Sequence, residues 1–399
     1  MGAIRFLTAG ESHGKGLIGI LEGIPAGLSL SKDDIDFELR RRQGGYGRGG
    51  RMQIEEDHID IISGVRWGKT IGSPIALFLE NKDFKNWKEA MSIEPSDVGS
   101  IDAVTKPRPG HADLAGLIKY AHEDVRNILE RSSARETAMR VAVGAITKKF
   151  LGIFDIKIGS YVLQIGSHKM NLKSSNLRGR QLIRLFHEAE RSPVRCPDKR
   201  LTSEIISLID KTKGEGDSLG GIFEVFVIGL PIGLGSHIQW DRRIDGRLAQ
   251  AIMSIQAIKG VEIGGGFEIG SRFGSEVMDE IFYSKSLGNV LTGGFYRRTN
   301  NAGGIEGGIT NGMPIILRAV MKPIPTLRRR LRSIDIKTKK PVKAIYERSD
   351  ICAVPAASII AEAMVSIIIA DAFLDKFGGD SISETRLNYE SYLKYLSSI

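Results

Sequence analysis

Cysteine is scarce. Cys196 and Cys352 are the only two in 399 residues, far apart and in no CxxC pattern. That argues against a disulfide framework and a cysteine-rich zinc site, and fits a reducing compartment. Aromatic residues make up only 7%, too few to set stacking platforms among basic residues as an RNA-binding surface does. No GxxxxGK[ST] phosphate loop and no HExxH metal motif occurs. Glycine is abundant, 47 residues, but without a Gly-X-Y period, so a collagen helix is excluded. The amino terminus has no long apolar run, and no secretory signal is expected. The most apolar stretch, 353–374, is interrupted by Glu362 and Asp371; it predicts a buried helix in a cytoplasmic protein, not a membrane span.

Basic residues number 56 against 47 acidic, a net charge of +9. The excess is moderate and points to an anionic partner: nucleic acid, a membrane surface or a phosphorylated small molecule. Glycine at this density serves turns and places where backbone closely approaches a ligand.

Hydrophobic periodicity predicts strands over 3–8, 16–22, 58–62, 75–79, 154–166, 222–228 and 315–321. Helices are expected over 33–42, 114–129, 198–212, 242–256, 355–376 and 385–396, with another beginning after Arg131 behind a capping box from Ser133 to Glu136. Residues 81–110 read as irregular, 259–312 as a long glycine-rich loop, and 327–343 as a basic, mobile segment. These elements make a mixed α/β protein with no internal repeat and no clear linker, and a single domain over 1–399.

Two segments match GxGxxG, Gly14–Gly19 and Gly45–Gly50, but neither lies between a strand and a helix as a dinucleotide site requires. His13 in Ala-Gly-Glu-Ser-His-Gly and His111 in Arg-Pro-Gly-His-Ala-Asp both fall on turn-forming loops. On residue type each is either a proton-transfer group or an exposed loop histidine. His111 and Asp113 could be half a metal site, but no third ligand is spaced to match, and no metal is expected. Arginines recur at 40–42, 48, 51, 131, 135, 328–330 and 348, either as solvated faces or as bidentate anion ligands. Glycine interleaving favours the second reading for Arg48 and Arg51. Arg131, Ser132 and Ser133 before a helix start form an anion site or a simple N-cap.

Taken together, Ala-Gly-Glu-Ser-His-Gly (9–14), Arg-Arg-Gln-Gly-Gly-Tyr-Gly-Arg-Gly (41–49), Arg-Pro-Gly-His-Ala-Asp (108–113) and Arg-Ser-Ser-Ala-Arg-Glu-Thr-Ala (131–138) resemble the chorismate synthase family. So do Gln-Ala-Ile-Lys-Gly (256–260), Gly-Gly-Ile-Thr-Asn-Gly (307–312), Lys-Pro-Ile-Pro-Thr (322–326) and Glu-Arg-Ser-Asp (347–350), in the family's order over nearly the whole chain. The resemblance implies an α+β fold, a β-α-β sandwich with helices enclosed between antiparallel sheets, assembled as a homotetramer. It implies a lyase that converts 5-enolpyruvylshikimate 3-phosphate to chorismate and phosphate by 1,4-anti elimination. The family needs reduced FMN, with NADPH as a candidate reductant, and no nucleic acid or membrane partner. By resemblance His13 would protonate or bind the departing phosphate and His111 would hold the proton balance at the flavin. Asp350 matches the position proposed to assist proton removal through flavin N5. Arg42, Arg48, Arg51, Arg135, Arg348 and Ser12 would hold substrate anions, with Arg42 and Arg48 also meeting NADPH. Arg131, Ser132, Ser133, Gln256, Ala257, Gly307, Lys322, Pro323, Ile324, Pro325, Thr326 and Arg348 match flavin-contacting positions.

Overall fold

The computed structural model describes residues 2–49, 56–172, 177–286, 288–347 and 349–399. Strands β1 (Arg5–Ala9) and β2 (Gly16–Glu22) form an antiparallel hairpin. Helix α1 (Lys32–Gln43) follows, capped by a reciprocal Ser31–Asp34 capping box. Strands β3 (Ile59–Ile61) and β4 (Ile75–Glu80) complete a first antiparallel sheet in the order β1-β2-β4-β3. Alternate residues of β2 and β4 are buried, among them Leu17, Leu21, Leu77 and Leu79, the pattern of a sheet with one covered face.

Next come α2 (Asp113–Lys119), α3 (Arg126–Ser132) and α4 (Thr137–Gly152). The single helix expected over 114–129 is therefore two, broken where Ala121 takes a left-handed φ of 53°. The capping box at Ser133 is half-formed. Ser133 caps a 3₁₀ turn, Ala134–Glu136, while the Glu136 carboxylate accepts from Thr8 and Arg140 instead of reaching back.

Strand β5 (Lys157–Ile165), helix α5 (Gly179–Glu190), helix α6 (Lys199–Glu215), strand β6 (Gly221–Ile228), helix α7 (Ile244–Met253) and strands β7 (Ile258–Ile263) and β8 (Ile315–Met321) follow. The strands form a second antiparallel sheet in the order β7-β8-β6-β5, extended by His168–Lys169. Helix α5 was not expected from the sequence; it lays Leu182 and Ala189 on Tyr161 and Phe226, covering the outer face of β5 and β6. The span 259–312 is a strand followed by two hairpins, Ile281–Tyr283 with Phe295–Arg297 and Ile305–Glu306 with Ile309–Thr310. The basic segment 327–343 also forms a hairpin, Arg332–Ile334 with Pro341–Lys343, tied to 105–107 through Thr105, Asp335 and Ser333.

Helix α8 (Val354–Phe377) and helix α9 (Ile382–Ser398) close the chain. Helix α8 is long and apolar enough by composition to cross a membrane, yet almost all of it is buried inside the protein. It lies with α1, α4 and α7 between the two sheets and packs on α4 so closely that a Cβ on Gly144 would lie 2.3 Å from that of Ala363. This is the expected β-α-β sandwich.

The charges that interrupt α8 are both paired. The Glu362 carboxylate, fully buried, accepts from Arg41 Nη1 at 2.8 Å, Lys148 Nζ at 2.7 Å, Ser160 Oγ at 2.6 Å and Arg195 Nη2 at 3.2 Å. Glu38 and Glu190 balance the remaining cationic charge through Lys148 and Arg41. Asp371 accepts from Arg247 and from the backbone N–H of Ile4. Burial pushes the Glu362 carboxyl up, but Arg41, Lys148 and Arg195 together hold it well below its ordinary value of 4.5.

Removing one partner of a buried charge network leaves the others uncompensated. Glu362→Ala is expected to lose about 3–5 kcal/mol of stability at pH 7, read from urea unfolding. Because the folded-state value is depressed, the wild-type contribution is present above the unfolded value and drains away as pH falls below it. The gap between wild type and variant should therefore narrow on acidification.

Candidate active site

The loop between β1 and β2 carries Ser12 and His13 onto α3. The backbone N–H of Ser12 donates to the Glu130 carbonyl at 3.1 Å, and that of His13 to Glu130 Oε2 at 2.8 Å. The His13 ring places Nδ1 2.8 Å from Glu130 Oε1 and stacks on Trp87 at 4.2 Å between centroids. Arg126 sits over the other contact of that indole, 4.9 Å from its centroid, and donates to Glu130 Oε1 at 3.3 Å. Burial would raise the Glu130 carboxyl, but hydrogen bonds and charge from His13, with Arg126 behind, bring it below the usual range.

His111 is aimed by a tight turn. Its N–H bonds the Arg108 carbonyl across Pro109 and Gly110, and Gly110 has φ 77°, the conformation a type II turn demands of its third residue. The turn folds back on Asp113, whose side chain is completely buried. Asp113 Oδ2 accepts from the Arg108 N–H at 3.0 Å and from Arg108 Nε at 2.8 Å, and Oδ1 lies 2.5 Å from His111 Nδ1. Burial opposes ionisation of Asp113, but His111 and Arg108 hold its carboxyl well below the usual carboxylate range.

Between these turns lies a group of arginines. Arg42, in the last turn of α1, is buried and donates to Thr137 Oγ1 at 3.1 Å and the Ala134 carbonyl at 2.9 Å. Arg135 donates to Asp57 Oδ1 at 2.5 Å and Asn81 Oδ1 at 2.9 Å. The Asn81 amide donates in turn to the carbonyls of Gly14 at 2.8 Å and Glu11 at 3.1 Å, so the arginine is tied to the His13 loop. Arg48 Nη1 lies 2.9 Å from Asp350 Oδ2, while Asp350 Oδ1 accepts from the Gly49 N–H at 2.6 Å. Burial, reinforced by the like charges of Arg48 and Arg135, lowers Arg42 to about 10 despite Asp57 at 3.7 Å.

Most of the remaining expected residues join the same network. The Ser133 hydroxyl donates to Ser12 Oγ at 3.1 Å, and Arg131 reaches the carbonyls of Thr8 and Gly10. Ser132 turns its hydroxyl back onto the Ile128 carbonyl. Gln256 donates to Glu136 at 3.3 Å, and its buried Oε1 has no hydrogen-bond partner among the described residues. The Ala257 carbonyl takes the Lys322 N–H at 2.9 Å, and the Lys322 ammonium bonds the Gly110 carbonyl beside His111. Burial, with Lys259 nearby, lowers that ammonium. Pro323, Ile324 and Pro325 lead to Thr326, whose hydroxyl accepts from Arg108 at 3.0 Å and whose carbonyl accepts from Ser349 at 3.0 Å. Ser349 and Glu347 thus reach towards the two histidine turns, since Glu347 lies 3.8 Å from Arg126. Gly307 is held elsewhere, in a hairpin turn beside His237, and no described contact joins it to this group. Arg51 and Arg348 lie outside the described residues.

Sequence reasoning missed Glu130, Arg108, Arg126, Trp87, Asn81 and Asp57 as parts of the site, and weighed Asp113 only as half of a metal site. Arg108 and Asp113 stand inside a motif that was singled out, and Glu130 directly precedes Arg131. Nothing near Asp57 in the chain marks it.

The family model of chorismate synthase matches residues 4–374. The chain belongs to the chorismate synthase family. It is 59% identical to the chorismate synthase of Aquifex aeolicus over 398 residues, 99% of this chain and 98% of that one. It is 56% identical to that of Geobacter metallireducens over 396 residues, covering 99% and 100%. A crystal structure of chorismate synthase superposes with a TM-score of 0.81 at 50% identity, over 99% of both chains. The protein is accordingly an enzyme, a lyase of aromatic biosynthesis through the shikimate pathway, acting on a small molecule.

Within this family member, Asp57 pairs with Arg135 and lies 3.7 Å from Arg42, so it offsets part of the positive charge of both. Asp57→Asn should cost about 3–5 kcal/mol in urea unfolding. Inorganic phosphate should restore part of that loss in the variant, because an anion that binds only the folded state stabilises it.

Proposed function

We propose that this enzyme converts 5-enolpyruvylshikimate 3-phosphate to chorismate and phosphate by 1,4-anti elimination, with reduced FMN required. The observation that carries this reading is the gathering of three buried or half-buried guanidinium groups, Arg42, Arg48 and Arg135, around Asp57 and Asp350. The substrate brings a phosphate and two carboxylates, and planar guanidinium forks suit all three. Arg51 and Arg348 would extend the set, and Ser12 would add a hydroxyl.

The residues present fit a flavin. Gln256 Oε1 is a buried acceptor without a partner among the described residues, which an N–H of a flavin ring would satisfy. Arg131, Ser133, Gln256, Ala257, Lys322 to Thr326 and Arg348 would hold it, with Ser132 and Gly307 as further contacts. Reduced FMN held there would supply an electron transiently and recover it, with no net redox change. The protein's own groups manage the protons. His13 would donate to the departing phosphate, His111 would hold a proton beside the flavin, and Asp350, oriented by Arg48 and the Gly49 N–H, would take part in removing the ring proton. NADPH meeting Arg42 and Arg48 is the proposed reductant. In this reading residues 1–399 work as one domain, in a cytoplasmic homotetramer.

Purified protein with FMN, dithionite and this substrate under anaerobic conditions should give a transient change in the flavin spectrum and release chorismate. No chorismate would overturn the reading. Arg48→Lys keeps the charge but loses the fork. It should raise KM about tenfold, on the order of 1.4 kcal/mol, with the thermal midpoint nearly unchanged. An unaltered KM would remove Arg48 from the substrate site.

A further inference from the structure

His13 and His111 sit on unrelated turns, yet their surroundings are built alike. Each ring places Nδ1 against a carboxylate with a side chain no more than 2% exposed, Glu130 at 2.8 Å and Asp113 at 2.5 Å. Each carboxylate also accepts a backbone N–H from the histidine's own loop, that of His13 at 2.8 Å and that of Arg108 at 3.0 Å. Each is further held by an arginine, Arg126 at 3.3 Å and Arg108 at 2.8 Å. A carboxylate offers only acceptors. At these separations two lone pairs would repel, so the proton lies on Nδ1.

We propose that Glu130 and Asp113 are positioning residues that pin Nδ1–H of His13 and His111, leaving Nε2 as the one proton-exchanging atom of each ring. The proposal rests on the proton-transfer roles assigned above but adds which atom acts and what selects it. When Nε2 takes a proton, the ring becomes an imidazolium that still donates through Nδ1 to the same oxygen. When Nε2 gives the proton up, the neutral ring is already in the right tautomer. Neither change requires the ring to turn. The arginines keep the carboxylates as acceptors, which agrees with the depressed carboxyl groups of both. The other charged groups facing His111 are Arg108, with Nη2 3.1 and 3.3 Å from the ring nitrogens, and Lys322 through the Gly110 carbonyl. Among the described residues Arg126 is a cation near His13, and the Trp87 face fixes the ring plane.

The test separates positioning from mere support. Diethyl pyrocarbonate acylates the unprotonated ring nitrogen, and peptide mapping by mass spectrometry reads each histidine separately, without substrate or flavin. In the wild type both residues should be modified at Nε2; attachment at Nδ1 would overturn the proposal and requires no variant. Asp113→Asn offers an amide N–H to Nδ1 and frees the tautomer, as in the loss seen when a triad aspartate becomes asparagine. His111 modification should slow at least threefold while His13 is unchanged, and Glu130→Gln should do the reverse. Equal slowing at both histidines in either variant would mean general loosening and sink the idea. In turnover, Asp113→Asn should lower kcat about 100-fold or more with little change in KM, yet have less than a threefold effect on a His111→Ala background. Additive losses would show that Asp113 acts otherwise than through His111. Because the acylation arm needs no turnover, it stands or falls apart from the identity of the substrate.

Discussion

One buried carboxylate organises this fold. Glu362 lies in the middle of an otherwise apolar helix enclosed by two sheets, where an unpaired charge would cost more than the helix could bear. Its partners are drawn from every neighbouring layer: Arg41 from α1, Lys148 from α4, Ser160 from β5, and Arg195 from the segment before α6. Apolar packing alone would let α8 slide or rotate by a turn with modest penalty. A fully paired carboxylate does not, because each alternative register leaves a charge alone in a low dielectric. Its closely fitted contact with α4 at Gly144 and Ala363 then has one position.

The same helix turn feeds the active site. Arg41 and Arg42 are adjacent, so their side chains leave α1 about 100° apart. Arg41 goes to the Glu362 cluster, where acids and bases balance. Arg42 goes to Thr137, Asp57 and the arginine group. The contrast is physical and useful. A balanced buried network rigidifies, whereas a cluster of guanidinium groups attracts a ligand that brings negative charge. Anchoring Arg41 fixes the turn from which the glycine loop carrying Arg48 departs, and Arg48 meets Asp350 on a segment that also reaches towards the two histidine turns.

How much of this was legible can be judged element by element. The two strands 16–22 and 315–321 and the helix near 355–376 could be read almost to the residue, because period and length are local properties. Helix α5 was missed although it is amphipathic: it starts with Gly179 and is stabilised by a hydrophobic face laid on the second sheet, a tertiary circumstance. The span 259–312 looked structureless because its strands are short and its glycines many; pairing partners made it into strand and hairpins. At the site, most residues within contiguous motifs were found, Arg108 apart, while Asp57, Asn81 and Trp87 were not, since each acts on residues far along the chain.

The amino-acid sequence by itself determined the family, the secondary-structure periods, the excess of basic charge and the short motifs that turn the chain at His13 and His111. These rest on local geometry, on turn chemistry such as Pro109-Gly110, and on residue types that carry the chemistry whatever their surroundings. The tertiary structure alone decided which carboxylate faces which base. Pairing of Glu130 with His13, Asp113 with His111, Asp57 with Arg135 and Glu362 with Arg41 depends on burial and on Coulomb terms that become large only once water is excluded, and the folded chain is what excludes it.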